Sequence, residues 1–77
     1  MAVYTYRDFR YVLQKLGFRL ARTKKHETWE KREPGEPLRI VRVRHQGKRD
    51  ITKSLFNEML RQAGIENEEE FRMILNR

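Results

Sequence analysis

The spacing of apolar residues along the chain changes twice. In "TYRDFRYVLQKLGF", Phe9, Val12, Leu13 and Leu16 stand at i, i+3, i+4 and i+7. That is the stripe of an amphipathic helix. Thr5 with Asp8 three residues on is a weaker form of the capping box. Gly17 suits the left-handed position just past a helix end, and Phe18 anchors the next element. From Phe18 to Arg44 the period falls to two. "FRLARTKK", "HETWEKRE" and "LRIVRVRH" alternate apolar or small residues with charged ones, which predicts three strands. "EPGEP" supplies the second turn, with Pro34 and Gly35 in turn positions. The first turn, within "TKKHE", has no glycine, so a tight primed hairpin there would be strained. Val41 and Val43 share one face of the third strand, and Arg42 and Arg44 the other. Leu38 and Ile40 are out of phase with the valines, which predicts a bulge or fraying where that strand begins.

After the basic loop "HQGKRDI", the helical period returns in "TKSLFNEMLRQAGI". Thr52 is its cap, Leu55, Met59, Leu60 and Ala63 its inner stripe, and Gly64 its end. Asn67 and Glu70 open a short third helix, where acidic Glu68 to Glu70 suit the positive end of the dipole. Phe71, Ile74 and Leu75 dock it. The expected fold class is α+β: α-β-β-β-α(-α), a three-stranded antiparallel sheet with the helices on one face and the other face in solvent. With no internal repeat and no linker, residues 1–77 read as one domain.

The charge balance narrows the partners. There are 18 basic against 11 acidic residues, for a net charge of +7. A small basic domain attracts phosphate polymers or anionic surfaces. If Val41 and Val43 face the helices, Arg42 and Arg44 face out. Lys24, Lys25, Lys48, Arg49 and Lys53 flank the sheet from loops and a helix start, completing a positive rim for RNA phosphates. Lys53 adds a positive charge to an already positive helix end, which suits an anion site better than it suits stability. The plainer reading of such a rim is a solvated surface. Cysteine is absent, which excludes disulfides and thiolate zinc sites. No apolar run approaches the roughly 18 residues of a membrane span and no signal peptide opens the chain, so a cytoplasmic location is expected.

Candidate reagents are few. The two histidines are nineteen positions apart, without metal-ligand spacing, so neither a metal nor another cofactor is called for. Ser54, the sole serine, has no base beside it in sequence. That leaves His26, in "TKKHETWEK". RNA carries its own nucleophile, the 2′-hydroxyl. Cleavage then needs a base for its proton, an acid for the leaving 5′-oxygen and cations for the phosphorane. An imidazole does either proton transfer near neutrality. Lys24 and Lys25 beside it would stabilise the anionic transition state. The alternative is a structural or solvated histidine at a strand end.

"KLGFRLARTKKHETW" followed by "VRVRHQGKRDITKSLFNEMLRQAGI" resembles the HicA toxins, small ribonucleases of bacterial and archaeal toxin–antitoxin systems. The likeness runs from Phe9 to about Phe71. Four features carry it: "KLGF" after the first helix, a histidine three residues before an aromatic (His26 and Trp29), "VRVRHQGK" with "DI", and "LRQAGI" closing the second helix. The resemblance implies a fold similar to a double-stranded RNA-binding domain and cleavage of messenger RNA by one catalytic histidine on the second strand, which maps onto His26. It also implies a HicB-like antitoxin covering the site. One feature departs from the family, whose Gly-Ser directly before the histidine is replaced by Lys24 and Lys25. Glycine allows close backbone approach to a phosphate; lysines offer charge in its place.

Two further residues have competing readings. His45 shares parity with Val41 and Val43, and reads first as a fastener of the strand end, second as a general acid. Trp29 reads first as core, second as a stacking platform for a base. Two functions other than a nuclease also fit the sequence. One is a non-catalytic RNA-binding module on the same fold, the other a regulatory protein whose main partner is an antitoxin-like protein.

Overall fold

A computed structural model describes residues 3–44 and 49–77. His45 and Lys48 lie outside the described residues. The elements follow the expected order: α1 (Tyr6–Leu16), β1 (Arg19–Thr23), β2 (Glu27–Lys31), β3 (Arg39–Val43), α2 (Lys53–Ala63) and α3 (Glu68–Leu75). The strands form an antiparallel sheet in the order β1-β2-β3. No helix among the described residues is long and apolar enough to cross a membrane.

Local chemistry sets the helix limits. Thr5 and Asp8 form a complete capping box: the Asp8 N–H donates to Thr5 Oγ1 at 3.2 Å and the Thr5 N–H to Asp8 Oδ2 at 3.0 Å. Thr52 caps α2 and Asn67 caps α3 with a single bond each, the side chain accepting the N–H of Leu55 and of Glu70. At the other ends, Gly17 (φ 93°) and Gly64 (φ 76°) reverse the chain in the left-handed region. Phe18 N–H then donates to Leu13 O and Ile65 N–H to Leu60 O, which satisfies terminal carbonyls. A Cβ on Gly17 would meet no atom nearer than Lys31 Cε at 4.0 Å, so only backbone strain opposes a side chain there. Gly17→Ala should therefore cost about 1–2 kcal/mol, the usual penalty of a left-handed L-residue. The measurement is a lower urea midpoint at unchanged m-value.

The core lies between the sheet and the helices. Phe9, Val12 and Leu13 of α1 pack with Phe56, Met59 and Leu60 of α2, Phe71 and Ile74 of α3, and Trp29, Val41 and Val43 of the sheet. Four aromatic rings form its centre. Phe71 lies 4.9–5.1 Å from Tyr4, Phe9 and Phe56, mostly edge-to-face. That geometry adds to what area burial alone provides. Val41 and Val43 are fully buried while Arg42 and Arg44 are exposed, as the alternation predicts. Trp29 belongs to the core.

Three expectations need correction. The second helix buries Phe56, not Leu55, with Met59, Leu60 and Ala63; Leu55 is only half-buried. Phe56, Met59, Leu60 and Ala63 stand at i, i+3, i+4 and i+7 and complete the inward stripe, which leaves Leu55 at its edge. The irregular sheet register falls between Leu20 and Arg22 in β1, whereas β3 pairs regularly with β2 from Arg39 to Val43. Leu38 sits before the strand, and Ile40 turns to the open face, so neither requires a bulge in β3. His26 lies one residue before β2 rather than on it. The turn after β2 matches expectation: Gly35 has φ 78° and the Glu36 N–H closes on Glu33 O at 3.1 Å. Beside it, a hydrogen bond from the Lys31 ammonium holds the Glu33 carboxyl below its ordinary range.

Candidate functional site

Lys24, Lys25 and His26 are the whole connection between β1 and β2, closed by the pairing of Thr23 with Glu27. All three are exposed. No described residue other than glycine has positive φ, so this glycine-free loop turns without a left-handed residue. The extra residue relative to a two-residue hairpin relieves the strain a primed turn would impose here.

A clamp from α1 fixes the sheet beside this loop. Arg10 Nε donates to Glu27 Oε1 at 2.7 Å, and its Nη2 donates to Arg44 O at 2.6 Å. Trp29 Nε1 donates to the same Glu27 oxygen at 3.0 Å. One guanidinium thus joins the residue after His26 to the residue after β3. The pair is mostly shielded, with Arg10 and Glu27 side chains 19% and 14% exposed. Charge-assisted bonds in such a setting hold geometry better than a surface ion pair does.

Next to His26 the molecule has a groove of about 210 Å³, formed where α1, α2 and the end of β3 meet. Tyr6, Leu55 and Met59 supply apolar walls, and Val43 part of the floor. Gln62, Arg42 and Arg44 supply the polar atoms. The groove lining contains two guanidinium groups and no carboxylate. Gln62 is oriented by the sheet edge, since its Oε1 accepts the outward Arg42 N–H at 3.4 Å.

The predicted rim is brought together in part. Lys24 and Lys25 share the loop of His26, and Arg42 and Arg44 border the same groove. Arg49 is exposed and its carbonyl accepts the N–H of Tyr6, which lines the groove. Lys53 opens α2, two residues before Leu55. Lys48 is outside the described residues. The strand register adds Arg22, which pairs across Thr28 from Arg42 on the open face. Strand alternation could have supplied Arg22. The two bonds of the Arg10 clamp span seventeen and thirty-four positions and leave no local signature in the sequence. Leu55 had a readable signal, because Phe56, Met59, Leu60 and Ala63 already complete a helical stripe without it.

A family model described as "HicA toxin of bacterial toxin-antitoxin" matches residues 6–65 of the 77. The matched segment begins with α1 and ends just after α2, so it contains the whole sheet, the His26 loop and every residue of the groove. No curated protein and no solved structure matches the chain.

Proposed function

The chain belongs to the HicA toxins of bacterial toxin–antitoxin systems, and from that premise we propose that it is a metal-independent endoribonuclease that cleaves messenger RNA with His26. The observation that carries this reading is an exposed imidazole in a loop with two lysines, beside a cation-bordered groove. One proton-transfer group lies among cations, and that is what an internal 2′-hydroxyl attack on phosphate requires. Lys24 and Lys25 take the place of the glycine approach usual in the family, neutralising phosphate by charge. Arg42, Arg44, Arg49 and Lys53 extend the contact along the strand, and Lys48 is proposed with them. Arg10 positions the site without touching RNA. An antitoxin partner follows from the family, and we take it to be HicB-like, covering this same surface. We take residues 1–77 to act as one catalytic domain, in the cytoplasm.

A non-catalytic RNA-binding module on this fold is the second reading. One observation favours it: no hydrogen bond to another described residue orients the His26 imidazole. Purified protein incubated with messenger RNA separates the two, since the module would bind without cutting.

The lysine loop has its own test. Replacing both Lys24 and Lys25 with alanine should remove about two phosphate contacts and lower the slope of log K against log salt by about 1.4 for single-stranded RNA. Cleavage should fall with binding, because these charges adjoin the reacting phosphate. An unchanged slope would place RNA elsewhere on the surface.

A further inference from the structure

We propose that the groove beside His26 is a nucleobase subsite: it takes one unpaired base of the RNA next to the cleaved bond and so sets the cleavage preference. The inference rests on the ribonuclease reading and deepens it. Size comes first. About 210 Å³ falls below the roughly 300–1,000 Å³ of sites for drug-sized ligands, and suits a single planar ring system. The walls come second. Leu55, packed against the margin of the core and only half-buried, offers apolar surface to a ring face, with buried Met59 behind it.

The polar groups then fit a base edge. Only the amide oxygen of Gln62 can accept the Arg42 N–H, so that bond fixes which way the amide points. The Gln62 NH2 group remains a donor, suited to a carbonyl on a base. Arg42 and Arg44 at the margin are suited to the phosphates either side of that nucleotide. A base can enter only if it is unstacked and unpaired. The substrate class is therefore single-stranded RNA or a loop. The competing occupant is a side chain of the antitoxin.

The test uses the full chain and defined RNA substrates, with fragment ends sequenced. Leu55→Trp fills the groove from a half-buried helix position; Gln62→Leu removes the amide donor while keeping the volume. Wild-type protein should cut with a marked preference for one base beside the cut, and should spare the same sequence within a duplex. Leu55→Trp should lower kcat/KM at the preferred site at least tenfold and flatten the preference. Gln62→Leu should flatten it as well. An abasic nucleotide at the preferred position keeps the sugar and the phosphates. It should slow the wild type, and on it the two variants should match the wild type. Should Leu55→Trp fail to fold, Gln62→Leu on intact and abasic RNA decides alone. Folded variants that keep wild-type rates and an unchanged cut-site distribution overturn the subsite and leave the groove to the antitoxin. Wild-type protein that binds RNA without cutting it overturns the ribonuclease reading instead.

Discussion

Expression of the wild-type chain is expected to arrest growth of a bacterial host, and His26→Ala to release that arrest and to lower RNA cleavage by about 10²–10⁴-fold, the usual contribution of a positioned acid or base. Stability should hardly change. The side chain is exposed and makes no hydrogen bond to another described residue, so its removal leaves no cavity and no buried orphan group. A surface change of this kind stays within about 0.5 kcal/mol. RNA affinity should also hold, because Lys24, Lys25, Arg42 and Arg44 remain. A loss confined to turnover, with folding and binding intact, marks a group that acts in the transition state. If the alanine protein folds normally and is equally toxic, His26 is not the reagent.

Much of this framework was legible in the sequence because it is written in local chemistry. Thr5, Gly17, Thr52, Gly64 and Asn67 each end a helix through bonds to residues within five positions, and all five mark the limits seen. Val41 and Val43 were readable because alternation has a period of two and one face of the sheet is covered. The strand ends were less so. The expected segments ran into Lys24, Lys25 and His26, but a connection between β1 and β2 needs residues, and without glycine it takes three. That is why His26 lies in the turn, outside the paired strands.

Tertiary relations were the illegible part. Arg10, Glu27, Trp29 and Arg44 come together from three elements, with no periodicity to announce them. The groove likewise depends on how α2 crosses the end of β3, where Gln62 meets Arg42. Leu55 shows the boundary between the two kinds of information. Its apolar character was visible, but its place at the edge of the buried stripe was decided by how α2 lies on the core. The third helix adds a further case. Phe71 and Ile74 bury against α1 and the aromatic centre, yet α3 follows residues 6–65, which the family model matches. Part of the core thus comes from residues outside the segment that the family model matches.

The second large effect concerns the substrate. If His26 works on the RNA's own 2′-hydroxyl, RNA with a single 2′-deoxy or 2′-methoxy nucleotide at the cut site should not be cleaved there, while the flanking sites are cut as before. In the proposed step the 2′-oxygen loses its proton and bonds to phosphorus, and the bond from phosphorus to the 5′-oxygen breaks as that oxygen gains a proton. His26 serves one of these two transfers. The 5′ fragment must then end in a 2′,3′-cyclic phosphate or the monophosphate formed from it by hydrolysis, and activity should survive excess chelator. The deoxy substrate keeps its charge and its base, so it should bind with nearly the affinity of RNA and act as a competitive inhibitor. Complete loss of cutting with retained binding separates this mechanism from activation of a water molecule, for which the 2′-hydroxyl is dispensable. Cutting at the 2′-deoxy position, or cutting that requires magnesium, would exclude the mechanism and leave His26 without this role.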